Sequence, residues 1–419
     1  MYMGNINLQT LKGFRDFLPS QKRKRDFVVQ KIKTVFELFG FEPIETPTLE
    51  YASLLQGKYG TEADKLMYTF EDRGKRQVGL RYDQTIPTAR VLSQYATTLP
   101  KYFRRYQIQN VFRAENTQKG RYREFLQCDC DIFGSTSNLA DAEILAVFYE
   151  AYKSLGFKNF VVNINDRQSL FATLSPFATD NVTVMSIIQT IDKLDKIGDE
   201  GMVDELTKKG IYKETSTKIL AMIKSQEISP SLSKIKEQAS LLGVPESSIR
   251  FQPFLARGLD YYTGLIFEGM VPEYSAGSVG GGGRYDNLIN QLGGPQIPAV
   301  GFAIGFDRTL EVMEEIGLLP NFDATAKALV TVFDEKYVNN SLEAISKLRS
   351  QGIPSELYPN IGDKLGKQLQ YANNKKVPFV IIIGPEEAKE NIVKVKNMKT
   401  GDEKTGKIEE ITRLMEIGR

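Results

Sequence analysis

Apolar residues recur at Phe27, Val28, Ile32, Val35, Phe36 and Phe39, three and four positions apart. The spacing predicts an amphipathic helix of several turns, which Gly40 can end. Phe41–Pro47 follows with a proline on each side of Ile44, which permits only an edge or terminal strand. Leu80–Pro87 reads as a strand running into a helix that begins after Pro87, with Asp83 and Thr85 on one side by alternation. In Val111–Gly134 the pattern is that of a hairpin, with Asn116–Gly120 as its loop. Its second arm sets Leu126, Cys128, Cys130 and Ile132 on one face and Phe125, Gln127, Asp129 and Asp131 on the other. The first face can pack; the second is too polar for a core.

Beyond Asp141 the pattern predicts a helix over Ala142–Ser154 and a short strand over Phe160–Asn165. From about Asp166 to Pro245 it turns helical, with Val184, Ile187, Ile188, Ile191, Leu194 and Ile197 keeping one continuous period, as expected of an inserted helical subdomain. Strands resume at Ile249–Leu255 and continue through Leu255–Glu268. Gly280–Gly283 predicts a strand whose backbone another group approaches closely, and Val300–Arg308 an apolar strand passing into a helix. After a linker at Asn321–Lys327, strands and helices alternate in the βαβ manner, which predicts a separate small α/β domain with a parallel sheet.

Composition narrows the chemistry. The chain has 419 residues, enough for several domains, and a formal net charge of +2, so any nucleic-acid contact must come from local basic clusters. No signal-like or membrane-length apolar run is present, and a cytoplasmic protein is expected. The two cysteines, Cys128 and Cys130, read as small buried hydrophobes and not as a bridge. Histidine is absent altogether, which excludes Ser-His-Asp and Cys-His catalysis and HExxH metal sites. Arginines, carboxylates, amides and phenols remain, and these suit orientation and charge stabilisation.

Several stretches concentrate such groups. Asp83 and Thr85 could hold a substrate ammonium or cap the helix after Pro87. Arg113, Arg121 and Arg123 surround one hairpin loop and could clamp phosphates, with Phe125 placed to stack on a base. Arg257 stands before Gly258, Tyr261 and Tyr262, as a site or as a surface turn pairing Arg257 with Asp260. The glycine run lacks both the G-K-[ST] of a P-loop and the βα context of a dinucleotide fold. Arg308 closes the Val300–Arg308 passage as a second candidate anion-binding arginine.

With those residues in view, the chain resembles the histidyl-tRNA synthetases, class II aminoacyl-tRNA synthetases, from Leu11 to its C-terminus. Phe41–Pro47 resembles the first class II motif, Arg113–Asp131 the second and Gly301–Arg308 the third, while Leu255–Glu268 and Gly280–Asp286 resemble two stretches peculiar to the histidine enzymes. The resemblance implies an α+β catalytic domain with an antiparallel sheet (the class II synthetase fold), a helical insertion and a C-terminal α/β anticodon-binding domain. Its expected divisions are 1–165 and 246–320 for the two catalytic parts, 166–245 for the insertion and 328–419 for the anticodon-binding domain.

The implied reaction is ATP-dependent ligation of L-histidine to tRNA(His) through a histidyl-adenylate, with Mg2+ carried on the ATP phosphates, no separate metal site, and a homodimer as the working form. Asp83, Thr85 and Gln127 would hold the α-amino group, and Asp131 and Tyr262 the imidazole, with Tyr261 and Tyr285 lining the same pocket. Arg113 would grip the α-phosphate and Arg121 and Arg308 the outer phosphates; Phe125 would stack on adenine with Glu115 near it. Arg257, with Arg113, would stabilise the attacking carboxylate and the reacting phosphate. Gln118 would reach the acceptor end of the tRNA. A synthetase-like regulatory subunit of ATP phosphoribosyltransferase is the rival. Such paralogues lack the anticodon-binding domain, and this chain keeps Arg113, Arg257 and Ala328–Arg419.

Overall fold

The computed structural model describes residues 7–56, 66–117, 120–256, 261–274, 277–322 and 324–415. The chain divides into two compact units, Met1–Pro320 and Asn321–Arg419.

The first unit is organised on eight strands: β1 (Glu42–Pro43), β5 (Phe103–Phe112), β6 (Glu124–Phe133), β7 (Val161–Asp166), β8 (Ile249–Phe251), β9 (Leu265–Met270), β10 (Gly280–Arg284) and β11 (Ala299–Gly305). They form one sheet in the order β1-β5-β6-β11-β10-β9-β7-β8. The six inner strands pair antiparallel, and β1 and β8 lie parallel to their neighbours at the two edges. Pro43 lacks an N–H, which confines its strand to an edge. A second, three-stranded sheet joins β2 (Leu49–Tyr51), β3 (Thr69–Glu71) and β4 (Gln77–Leu80) in the order β2-β4-β3.

One face of the large sheet is covered by helices. The helix Pro19–Leu38 starts on a proline, whose missing N–H costs nothing there, and buries Val28, Ile32, Val35 and Phe36. Gly40, at φ +74°, turns the chain out of it. Asn138–Ser154 begins where Ser137 accepts a hydrogen bond from Leu139, and it is buried along most of its length. Its Phe148 and Tyr152 meet Phe160, Phe267 and Phe302, with the Tyr152 and Phe160 rings stacked at 4.1 Å. Cys128, Cys130 and Ile132 join this core, both cysteines unbridged, as alternation along β6 requires. The opposite face of β6 is left for other work.

The helical stretch is built of Arg167–Leu174, Val184–Ile191, Leu194–Lys208, Lys213–Lys224 and Pro230–Leu241. The continuous period expected from Val184 to Ile197 is divided between two helices: the first ends at Ile191, and Gly198, at φ 68° and ψ 178°, kinks the second. Pro230–Leu241 packs on Asn138–Ser154 and adds Leu232, Ile235 and Ala239 to the sheet's core.

In the second unit β12 (Ala328–Val330), β13 (Ser355–Leu357), β14 (Phe379–Ile382), β15 (Ile392–Asn397) and β16 (Glu403–Lys407) form a sheet in the order β13-β12-β14-β15-β16. Its first three strands are parallel, but β15 and β16 run antiparallel, so the expected parallel sheet is a mixed one. Glu403–Lys407 has no apolar residue to signal a strand. A tight turn, in which Gly401 donates to the Asn397 carbonyl at 2.8 Å, folds it back on β15. Among the described residues no helix is long and apolar enough to cross a membrane.

Candidate active site

The polar face of β6 forms the floor of a cleft of about 410 Å³ in the first unit, a size that suits a small-molecule site. Phe125, Gln127, Asp129 and Asp131 all line it, as alternation predicts. The wall comes from Gly280 and Gly281 of β10 and Gly301, Ala303 and Gly305 of β11. Glycine is obligatory at two places here. A Cβ on Gly301 would fall 1.8 Å from Asp131 Oδ1, and one on Gly282 would fall 1.9 Å from the Gly301 carbonyl oxygen.

Asp83 and Thr85 reach the same cleft, but by a different local structure from the one expected. The helix starts at Thr85, before Pro87 and not after it, because a proline is tolerated in a first turn whose N–H groups lack partners. Asp83 accepts from Ile86 N–H at 3.2 Å, so it caps this helix while facing the cleft. The capping reading of Asp83 holds, and its carboxylate still lines the cleft. Gln84, fully buried, donates to the carbonyls of Gln109 and Gln127 and locks this turn to the hairpin.

At the floor, Tyr285 Oη donates to Asp131 Oδ1, while Arg105 stands 2.8 Å from Asp131 Oδ2, too oblique for a hydrogen bond but well inside ion-pair range. Arg105 is wholly buried. Sequence reasoning passed over it, although Arg105, Gln107 and Gln109 alternate with Tyr106 and Ile108 along β5 and the signal was present. Burial pushes the Asp131 carboxyl up, against the pull of Arg105 and the Tyr285 hydrogen bond. Asp129 is pushed well above the usual carboxylate range by burial first, with Asp131 and Asp83 adding to it. Tyr285 is likewise held well above the usual phenol value by burial and the Asp131 charge. Tyr261 and Tyr262 complete this end, their rings 4.7 Å apart.

The other end of the cleft is basic. Arg113 donates from Nε to the Tyr82 carbonyl at 3.1 Å and lies over the rings of Tyr82 (4.3 Å) and Phe125 (5.2 Å). Arg308 donates to the Ser278 carbonyl at 2.9 Å, and Arg121 stands 3.9 Å from Glu115 on the half-exposed loop. Asp307, one residue before Arg308, binds both Arg15 (2.8 Å) and Arg25 (2.5 Å), with the Leu126 N–H at 3.4 Å. Arg15 also stacks 3.2 Å from the Tyr122 ring centroid. These partners were not foreseen.

Of the residues singled out from sequence, Asp83, Thr85, Arg113, Glu115, Arg121, Phe125, Gln127, Asp131, Tyr261, Tyr262, Tyr285 and Arg308 all line this one cleft. Arg257 and Gln118 lie outside the described residues. Leu126 is absent from the lining and packs against the core, as its place in the alternation requires. The result is a bipolar cleft: carboxylates and phenols at the floor call for a cation, and arginines towards the mouth call for an anion.

The family model described as Histidyl-tRNA synthetase matches residues 13–309, and one described as Anticodon binding domain matches 327–416. The chain belongs to the histidyl-tRNA synthetase family. It is 40% identical over 437 aligned positions to the histidine–tRNA ligase of Cytophaga hutchinsonii, covering 94% of this chain and 96% of that one. To the histidine–tRNA ligase of Pyrococcus furiosus it is 36% identical, covering 97% and 98%. Among solved structures, the histidyl-tRNA synthetase from Nostoc sp. PCC 7120 superposes with a TM-score of 0.84 at 30% identity, covering 98% of this chain and all of that one. A structure described as an ATP phosphoribosyltransferase regulatory subunit/histidyl-tRNA synthetase from Bacillus halodurans superposes at 0.75 with 21% identity, which speaks for the fold alone. The antiparallel sheet, helical stretch and C-terminal domain are those of the class II fold expected from sequence.

Proposed function

We propose that the chain ligates L-histidine to tRNA(His) in two steps at this cleft. A carboxylate oxygen of histidine attacks the α-phosphorus of ATP and pyrophosphate leaves; a terminal ribose hydroxyl of the tRNA then attacks the carbonyl carbon and AMP leaves. The observation that carries this reading is the bipolar cleft. Its carboxylate floor suits the ammonium and ring of an amino acid, and three arginines from two separate elements suit a polyphosphate. In-line displacement asks the protein mainly for positioning and charge stabilisation, which needs no histidine base.

Asp83, Thr85 and Gln127 hold the α-ammonium in this reading, and Asp131 and Tyr262 read the ring, with Tyr261 and Tyr285 beside it. Phe125 stacks on adenine near Glu115; Arg113 meets the α-phosphate and Arg121 and Arg308 the outer ones. Arg257 stabilises the attacking carboxylate and Gln118 meets the tRNA end, both on the strength of the family pattern. Magnesium would enter with the ATP phosphates and neutralise part of their charge. Among the described residues no three acidic or cysteine side chains are grouped to hold a metal. Oxygen donors such as Glu115 fit a hard ion that takes only one or two protein ligands and keeps substrate phosphates.

The divisions at 1–165, 166–245, 246–320 and 328–419 are kept as the catalytic parts, insertion and anticodon-binding domain. A homodimer built on the Phe41–Pro47 region is part of the proposal, supported by the open edge at β1. A cytoplasmic location is supported by two unbridged buried cysteines. The matched anticodon-binding domain favours charging over a purely regulatory role.

Histidine-dependent ATP–pyrophosphate exchange, followed by charging of a tRNA(His) transcript, tests the reading. Both should proceed with purified protein, magnesium and ATP. Absence of exchange with histidine would reject it and favour the regulatory alternative, and exchange without charging would reject the second step.

A further inference from the structure

Three polar residues of β6 face the cleft, and the family pattern gives roles to two of them, Gln127 and Asp131. The third, Asp129, lies between them, lines the cleft and is 4% exposed. Its Oδ1 has no hydrogen-bond partner. Asp131 accepts from the Tyr285 hydroxyl at Oδ1, while its Oδ2 has the Arg105 guanidinium 2.8 Å away but, like Asp129 Oδ1, makes no hydrogen bond. A ring N–H arriving at the floor therefore finds an open acceptor oxygen on Asp129 as well as on Asp131.

The charges around Asp129 point the same way. Across β5 it meets Gln107, with Arg105 and Arg113 as the cations near it; across β11 it meets only Ala303. From the segment before the Thr85 helix come Asp83 and Arg81, and along its own strand Asp131. Arg81 is occupied with the carbonyls of Asn110 and Thr46, and Arg113 is turned onto Tyr82 and Phe125. That leaves Arg105 as the buried guanidinium serving two neighbouring carboxylates. Buried like charges that share one counter-ion call for a second cation or a proton.

We infer that Asp129 is a specificity-determining residue of the amino-acid pocket, whose free oxygen takes an N–H of the substrate ring and holds that ring as an imidazolium between Asp129 and Asp131. The inference rests on the histidine reading above. An imidazolium offers two N–H donors where the neutral ring offers one, so two carboxylates select for it over a ring that cannot be protonated. The proton comes from solvent or from Asp129 itself, since burial already favours a protonated carboxyl there in the empty pocket. No covalent step is altered. The group sets which ring is accepted and in which charge state.

The test is nitrogen-15 NMR of ring-labelled histidine bound to the full-length protein at pH 8, where the free ring, with a pKa of about 6.5, is neutral. The chain contains no histidine, so every imidazole signal belongs to the substrate. Two protonated ring nitrogens are expected with the wild type. With Asp129→Asn the signals should revert to a neutral tautomer and histidine affinity should fall about 10- to 100-fold. A bound but neutral ring in the wild type overturns the inference, as does an imidazolium that persists unchanged in the variant. Should the variant not fold, the wild-type spectrum still decides, and triazolylalanine, whose ring stays uncharged at this pH, should bind the wild type about 10- to 100-fold more weakly than histidine does. Equal affinity for that analogue and for histidine would count against the inference. Failure of histidine to bind at all would reject the functional reading itself, a result distinct from a neutral bound ring.

Discussion

At the scale of single residues, the cleft is governed by close approaches that tolerate no added atom. Gly301 lets Asp131 lie against β11, and a methyl group there would sit 1.8 Å from Oδ1. Gly301→Ala should therefore displace the Asp131–Tyr285 pair and lower kcat/KM for histidine in the exchange reaction by about 100-fold or more, as expected of a misplacement near 1 Å. An unchanged kcat/KM would show that Asp131 does not touch substrate. A second prediction concerns pH. Asp129 is raised in the folded protein by burial, Asp131 and Asp83. Such a group contributes fully to stability below its unfolded pKa of about 3.9, and that contribution is lost as pH rises towards the folded value. Asp129→Asn removes the loss. Without histidine present, urea midpoints should show the variant gaining on the wild type from pH 5 to pH 8. A gap that does not widen with pH would contradict the raised carboxyl. Most lining residues were legible from residue type and alternation alone. Arg105 carried the same alternating signal along β5, but its partner Asp131, on a different strand, was not legible.

Among the elements, the N-terminal turn before the Pro19–Leu38 helix stands out for what it fastens. Gly13, at φ +90°, accepts from the Arg123 N–H at 3.0 Å, and an added Cβ would meet Arg123 Cγ at 2.7 Å and Thr117 Cγ2 at 2.8 Å. Arg15 and Arg25, from this turn and helix, then converge on Asp307 beside Arg308. One short element thus braces both arms of the basic end. Gly13→Ala should strain the backbone by about 1–2 kcal/mol and push the Arg121 loop aside. KM for ATP should rise by roughly 10-fold with KM for histidine nearly unchanged. Titrating the exchange reaction with each substrate checks this, and equal rises in both constants would show a general loss of fold. Sequence reading located most elements but misplaced some ends. The start at Thr85 was hidden by Pro87, whose restriction on its neighbours is a tendency that a first turn escapes. The strand Glu403–Lys407 was hidden because its pairing comes from backbone and a turn, with no apolar side chain to mark it.

For the whole molecule, every described residue lining the cleft lies in the unit ending at Pro320. A fragment of residues 1–320 should fold, since it has its own sheet and core. It should keep histidine-dependent exchange within about 10-fold while losing tRNA charging by about 100-fold or more, because remote binding energy from the second unit is withheld. A folded fragment without exchange would mean that the second unit contributes to the first step. What the sequence determined by itself was local and periodic: the amphipathic helix, the two faces of the hairpin's second arm, the division near Asn321 and the residue types that excluded histidine-based chemistry. Only the tertiary structure decided what stands beside each carboxylate. Asp129 and Asp131 are equivalent in alternation, yet Tyr285 donates to Asp131 and Arg105 stands 2.8 Å from it. Likewise Arg15 finds Asp307 across 292 positions of chain. Alternation and propensity act between near neighbours, whereas partners across strands depend on register and packing among segments far apart in sequence.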